Sequence, residues 1–242
     1  MYIFDKDGVL FNTEPAKTDS YYLAVLQINN QSTALSGMTR EDYIAWHLKN
    51  LTGKSRVAAV RGILKRFPLL NVNIHNEYAT YEQELCQFGG DVAQELSSKA
   101  FKNQQEKILS AMRIYHYLQK PIKDCCSPIK QTWRFIDLLI AQDSRLALIT
   151  ESKWSRTLAE LSVCEISPEI FEIIACKDQI VLGANSEKLA EGGKKSQMYG
   201  EILRLAKLNA NECLAIEDTN KGRREAQVAG ITCLQVFFPT TT

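Results

Sequence analysis

The sequence has no apolar run approaching the ~20 residues that cross a bilayer, and it passes straight into Asp5 without the apolar stretch of a signal peptide. Membrane and secretory roles are therefore not expected, and a cytoplasmic protein is. Net charge is nearly absent as well: 29 Lys and Arg against 28 Asp and Glu leave +1. That supplies no global field for nucleic acid or an anionic membrane, so any anionic ligand must be captured locally. Seven cysteines, Cys86, Cys125, Cys126, Cys164, Cys176, Cys213 and Cys233, are an odd number and never fall in C-x-x-C spacing, which argues against a cysteine metal site. Several lie in apolar stretches, where a thiol behaves as a small hydrophobe, and they read as reduced core or surface groups. The adjacent Cys125-Cys126 leaves a redox-sensitive pair as the other reading. A nucleotide P-loop is missing too, because Gly53-Lys54-Ser55 has Leu48 where that motif requires its earlier glycine.

What is present is a globular composition. The 242 residues, 45% of them hydrophobic, are enough for one domain or two modest ones with a proper core. The most informative stretch comes first: Tyr2-Ile3-Phe4-Asp5-Lys6-Asp7-Gly8. Three apolar residues lead into two carboxylates one position apart, and a glycine then reads as a buried strand opening into a tight turn. Alternation along a strand puts Asp5 and Asp7 on one side. Adjacent carboxylates repel, so a cation or a shared proton must compensate them; a divalent metal, Mg2+, is the expected one. D-x-D-G also occurs in calcium loops and ordinary turns, so the rest of the chain has to decide.

From about Pro15 to Lys120 apolar residues recur at three- and four-residue spacing, the pattern of an α-helical module. Thr39 with Asp42 resembles a capping box, Ser55 is placed to cap a helix from Arg56 to Phe67 closed by Pro68, and Asn76 to Gln119 reads as long helices broken near Gly89-Gly90. After Pro121 the period changes to strands and helices in alternation. Arg145–Thr150, Glu172–Cys176, Cys213–Asp218 and Thr232–Phe238 read as strands; Lys130–Gln142, Ser152–Leu161, Ser196–Leu208 and Lys221–Ala229 read as helices. Such alternation predicts a doubly wound α/β domain, Rossmann-like, with a parallel sheet covered on both faces. The expected division is residues 1–14 with 121–242 as the α/β core and 15–120 as an inserted helical domain.

Ligands of such sheets collect at the carboxyl ends of the strands, and the polar residues are found there. The first strand ends in Asp5, a later one in Thr150 and another in Glu217-Asp218. The Thr150 hydroxyl and the N–H groups of Glu151 and Ser152 suit phosphoryl oxygens, although a plain N-cap threonine is common. Glu217 and Asp218 offer hard oxygen ligands which, with Asp5 and the backbone carbonyl of Asp7, complete a magnesium site. In the helical module, Gly53, Lys54, Ser55 and Arg56 form an anion-friendly helix start, or else only a well-capped one.

Phe4-Asp5-Lys6-Asp7-Gly8-Val9-Leu10 with Thr13-Glu14 resembles the first signature of the haloacid dehalogenase superfamily, in its phosphatase and β-phosphoglucomutase-like branch. Thr150 is similar to the second motif, and Glu217-Asp218-Thr219-Asn220-Lys221-Gly222 resembles the fourth, E-D-S/T-x-x-G, which assigns metal binding most firmly to Asp218. Gly53-Lys54-Ser55-Arg56 resembles the cap-domain G-x-S-R element that contacts substrate. The third motif supplies a lysine; Gly192-Gly193-Lys194-Lys195-Ser196-Gln197-Met198-Tyr199 resembles it but lacks both prolines and the aspartate of K-P-x-P-D-x-Y, and Lys194 is favoured over Lys195. Members that cleave carbon–halogen bonds lack an acid where Asp7 stands, so dehalogenation is disfavoured.

The resemblance implies a magnesium-dependent phosphatase acting on a small phosphorylated metabolite such as phosphoglycolate or a sugar phosphate, with Asp5 as nucleophile, Asp7 as acid and base, and Thr150 and Lys194 beside the phosphate. Glu151, Ser152, Gly53, Lys54, Ser55, Arg56 and Lys195 are the expected substrate contacts, and Asp5, Asp7, Glu217 and Asp218 the metal ligands. Lys17 stands twelve residues after Asp5, where the sugar phosphomutases carry histidine, which weakens a mutase. A mutase and a non-catalytic phosphometabolite-binding protein remain the other expectations. No nucleic-acid or membrane partner is expected, and the chain is expected to be a monomer or homodimer.

Overall fold

The computed structural model describes residues 1–28, 37–52, 54–67, 83–87, 90–183 and 188–236. In chain order the elements are β1 (Tyr2–Asp5), β2 (Phe11–Asn12), α1 (Glu14–Ile28), α2 (Arg40–Leu51), α3 (Arg56–Arg66), α4 (Gly90–Leu96), α5 (Gln104–Gln119), β3 (Ser127–Pro128), α6 (Lys130–Ala141), β4 (Leu146–Ile149), α7 (Trp154–Val163), β5 (Ile173–Ala175), β6 (Gln179–Leu182), β7 (Lys188–Glu191), α8 (Lys195–Ala206), β8 (Leu214–Glu217), α9 (Asn220–Val228) and β9 (Thr232–Gln235). The chain divides into two compact units, residues 1–13 with 126–241 and residues 14–125. Among the described residues no helix is long and apolar enough to cross a membrane, and there is no disulfide.

The first unit is built on a seven-stranded sheet in the order β7-β6-β5-β4-β1-β8-β9. β1 lies at its centre, parallel to β4 on one side and β8 on the other. Its residues alternate between two covered faces. Ile3 belongs to a buried cluster with Ile149, Met198, Tyr199, Ile202 and Ala226, which packs α8 and α9 against the sheet. Tyr2 and Phe4 instead meet Phe135 of α6 edge-on, at ring-centroid distances of 6.0 and 6.3 Å. Two covered faces explain why β4 is apolar and buried at every position, Leu146-Ala147-Leu148-Ile149.

The sheet is mixed, whereas the sequence pattern predicts parallel strands throughout. β6 runs antiparallel to β5, and β7 antiparallel to β6, so the edge after β5 is a hairpin extension. The chain leaves this unit along β2 and re-enters along β3, and those two short strands pair antiparallel. The crossing is pinned by the Ile129 N–H and the Trp133 indole N–H, which donate to the Leu10 carbonyl at 2.9 and 3.1 Å.

In the second unit, α1, α2, α3, α4 and α5 contribute to one apolar cluster that includes Val25, Tyr43, Val60, Ile63, Ile108 and Met112. The predicted caps at α2 and α3 are present: Thr39 and Asp42 form a reciprocal capping box, and the Ser55 hydroxyl accepts from the Ala58 N–H. α4 begins at Gly90 with φ +51°, where the helices are expected to break, and a further interruption that the sequence pattern does not predict falls between Leu96 and Gln104, where the Asn103 side chain caps α5. Gly53, Pro68, Gly89, residues 76–82 and Phe238 lie outside the described residues.

His47 is buried in this cluster with its ring stacked on Tyr21, centroids 5.2 Å apart. Burial pushes its pKa down to about 4, against a smaller upward pull from Glu14. The unfolded chain binds the proton below about pH 6.5 and the folded chain resists it, so this contribution is intact above pH 6.5 and is lost as the pH falls toward 4. Wild-type protein is expected to lose about 2–3 kcal/mol more stability between pH 7 and pH 4 than His47→Gln does. Urea denaturation of both proteins across that range checks the difference; parallel pH profiles would refute it.

Candidate active site

Parallel register brings the polar strand ends together. Phe4 is level with Leu148 and Ile216, and Asp5 with Ile149, so Asp5, Thr150 and Glu217 all emerge at the same edge of the sheet. Gly8 turns the chain there with φ +84°, and its N–H donates to the Phe11 carbonyl at 2.8 Å. A Cβ at Gly8 would collide with the Asp218 carboxylate. The glycine is thus needed both for backbone conformation and for the close approach of Asp218.

Asp5, Glu217 and Asp218 each offer a carboxylate oxygen, and these oxygens lie within 4.8 Å of one another. Two of the three are deeply buried, with Asp5 7% exposed and Glu217 fully enclosed. Lys195 compensates them: its Nζ stands 2.8 Å from Asp5 Oδ1 and 2.8 Å from Glu217 Oε1. The Tyr199 hydroxyl donates to Glu217 Oε1 at 2.6 Å, and the Lys6 backbone N–H donates to Asp5 Oδ1 at 2.8 Å. Gly222 completes the arrangement by omission, since a Cβ there would overlap the Glu217 carboxylate.

Burial raises the Asp5 pKa to about 7, opposed by the Lys195 charge and reinforced by Glu217 and Asp7. Burial alone would draw the Lys195 ammonium down, but Asp5 and Glu217 outweigh it and hold the ammonium above the ordinary lysine range. Burial, then the charge of Glu217, pushes the Tyr199 hydroxyl up, so it remains a donor. Lys195 is therefore a fixed positive charge beside Asp5.

The lysine is a correction to the sequence reading. Lys194, favoured there, is the N-cap residue of α8, with its backbone N–H on the Gln197 side chain at 3.1 Å. Lys195, one residue on, is buried and reaches both carboxylates. Adjacent helix positions point about 100° apart, so one step decides which ammonium faces the sheet.

The other expected residues are distributed as follows. The Thr150 hydroxyl is buried and accepts the Ser152 N–H at 3.1 Å, while the Trp154 N–H is taken by Asp178 Oδ1 at 2.8 Å. These local bonds delay α7 by two residues relative to the predicted start at Ser152. The Ser152 hydroxyl faces Asp7 Oδ2 at 3.5 Å. Glu151 is exposed and paired with Lys221 at 2.6 Å. In the helical unit, Ser55 caps α3, Lys54 is exposed, and the Arg56 guanidinium is paired with Glu95 at 2.6 Å. Lys17 pairs with Glu14 at 3.2 Å. Cys125 directs its Sγ toward the Tyr117 and Lys120 carbonyls, whereas Cys126 faces Cys164 at 3.9 Å, so the adjacent cysteines do not face one another. Burial pushes the Cys126 thiol up to about 12, away from the reactive thiolate. The sequence reading missed Lys6, Arg156 and Glu160, which form a buried ion-pair cluster beside Asp7.

A family model for haloacid dehalogenase-like hydrolase matches residues 1–230. The chain belongs to that family. No curated protein matches the sequence. Among solved structures it is similar to a HAD family hydrolase from Deinococcus radiodurans R1 with bound phosphate and sodium, at TM-score 0.58 and 13% identity, covering 100% of this chain and 82% of that one. A predicted phosphoglycolate phosphatase from Haemophilus somnus 129PT aligns at TM-score 0.58 and 15% identity, over 97% of this chain and 84% of that one. A candidate β-phosphoglucomutase from Thermotoga maritima aligns at TM-score 0.54 and 14% identity, over 100% and 87%. At such identities the structural likeness speaks for the fold alone.

The donor set around Asp5 consists of carboxylate oxygens, the ligand type a hard divalent cation selects. Together with the space left by Gly8 at Asp218, this fits the magnesium ion that the family generally uses. The lysine assignment has a direct test. Lys195→Met leaves buried carboxylates uncompensated and is expected to cost about 3 kcal/mol, whereas Lys194→Met is expected to stay within about 0.5 kcal/mol of wild type. Urea denaturation without added metal measures both; equal effects would return Lys194 to consideration.

Proposed function

We propose that this hydrolase is a magnesium-dependent phosphatase that acts on a small phosphorylated metabolite through an aspartyl-phosphate. The observation that carries the reading is Lys195 Nζ at 2.8 Å from Asp5 Oδ1, beside the oxygens of Glu217 and Asp218. Hydrolysis of a phosphate monoester requires a nucleophile, a cation for the charge on the phosphoryl oxygens and a proton for the leaving alkoxide. Asp5, Lys195 and Asp7 have the chemistry for these three tasks.

In the proposed sequence Asp5 attacks phosphorus in line, the bond to the alcohol oxygen breaks, and Asp7 gives that oxygen its proton. Asp7 then takes a proton from water as the water oxygen attacks the phosphoryl group, which leaves as inorganic phosphate and returns Asp5 to its carboxylate. Lys195 offsets charge on the transferring group. The hydroxyls of Thr150 and Ser152 line the route of its oxygens. Asp5, Asp218, the Asp7 carbonyl and Glu217 are the groups that would hold magnesium, which supplies a further positive charge for the phosphoryl oxygens. In the helical unit Lys54, Ser55 and Arg56 are proposed to select the distal part of the substrate.

A phosphomutase would use the same nucleophile and hand the phosphoryl group to a second hydroxyl. Lys17, engaged by Glu14, gives that reading less support than hydrolysis.

Hydrolysis of p-nitrophenyl phosphate is expected to require magnesium, to stop with chelator and to return when the metal is restored. Asp5→Asn is expected to lower the rate by on the order of 10³-fold or more while leaving the denaturation midpoint within a few degrees of wild type. Undiminished hydrolysis by Asp5→Asn would overturn the assignment. Release of inorganic phosphate, rather than an isomeric phosphate ester, from sugar monophosphates separates it from the mutase.

A further inference from the structure

Lys6 is an unexpected residue for its position. Its side chain is 1% exposed at the end of the central strand, between the two acids of the first motif. The ammonium is paired with Glu160 of α7, itself 1% exposed, and lies 3.6 Å from Asp7 Oδ1. Glu160 is already engaged from its own helix, because Arg156 Nε donates to its other oxygen at 2.6 Å. Two cations therefore surround the single charge of Glu160, and Asp7 supplies a second carboxylate within reach of Lys6.

Stability alone is a poor reason for such a cluster. A buried ion pair is often no more stable than the apolar side chains that could replace it. The pair does fix a point in space: Glu160 is held by α7, Lys6 by Glu160, and the charge so placed faces one oxygen of Asp7. The second oxygen faces the Ser152 hydroxyl at 3.5 Å. At these separations the contacts act as electrostatic guides to the carboxylate plane rather than as strong hydrogen bonds.

We propose that Lys6, anchored by Glu160 and Arg156, is a positioning residue that orients the Asp7 carboxyl toward the oxygen of the departing alcohol. The inference rests on the phosphatase reading and adds to it a role for a side chain on the far side of the strand from Asp5. Asp7 remains the group that touches the leaving oxygen; Lys6 acts through it.

The test is the dependence of kcat/KM on the leaving group, measured with p-nitrophenyl phosphate and phenyl phosphate. kcat/KM covers the steps up to departure of the phenol, so later hydrolysis of the aspartyl-phosphate does not enter. p-Nitrophenolate departs without help, whereas phenoxide needs the proton that a well-placed Asp7 delivers. Since positioned acid catalysis contributes typically 10²–10⁴-fold, Lys6→Met is expected to lose about 30-fold or more on phenyl phosphate and less than about fivefold on p-nitrophenyl phosphate. Glu160→Gln retains the lysine, the packing and an acceptor for Arg156, and is expected to shift the ratio in the same direction by about fivefold or more.

Equal losses on both substrates would make the cluster merely structural and overturn the proposal. If Lys6→Met does not fold, Glu160→Gln decides: a changed ratio sustains the role and an unchanged ratio ends it. Wild-type protein without magnesium-dependent hydrolysis of either ester would remove the phosphatase reading, and this inference with it, before any variant is compared.

Discussion

A buried ammonium group sets the terms for the carboxyl end of the sheet. Asp5 and Glu217 are brought together by β-strand register, and without a cation their charges would oppose the packing that surrounds them. Lys195 answers both at 2.8 Å, and Tyr199 and Gly222 fix where Glu217 waits for it. The remaining features follow from that constraint. α8 must start with one particular lysine turned inward, β8 must carry an acid at its last position, and α9 must have a residue without a side chain, Gly222, in its first turn.

The positive charge and the acids also define what can enter. In the proposed reading a phosphoryl group would bring negative oxygens to a place where Lys195 is fixed, and a hard cation would find oxygen donors from both ends of the polypeptide. Neither partner would be served by the acids alone, which would repel the first, or by the lysine alone, which would repel the second. The proposed chemistry depends on both signs of charge being held within a few ångströms in surroundings that exclude water.

Much of this was legible in the sequence because the residues concerned stand at the ends of apolar runs. Asp5, Thr150 and Glu217-Asp218 terminate strands whose hydrophobicity is unmistakable, and a doubly wound sheet delivers such ends to one edge. The choice between Lys194 and Lys195 was not legible, because it is a question of helix phase at an α8 start where the familiar prolines are absent. Lys6 was hidden for a related reason. Strand alternation turns it away from Asp5, and its partner Glu160 is 154 positions distant. The β6–β7 hairpin escaped because Gln179–Leu182 is short and follows a strand directly, where a crossover helix is the usual continuation. Interruption of the helices at 97–103 depends on the Asn103 cap, a signal easily lost in a polar stretch.

The place of β1 at the sheet's centre has a consequence for assembly during synthesis. Its two neighbours begin at Leu146 and Leu214, so a ribosome delivers the strand ending in Asp5 long before it delivers either flank. Loop closure over such separations is slow, and until β8 arrives the apolar stretch Tyr2-Ile3-Phe4 has an unoccupied edge that invites other chains. Competence and protection from aggregation therefore arrive together, with the same late strand.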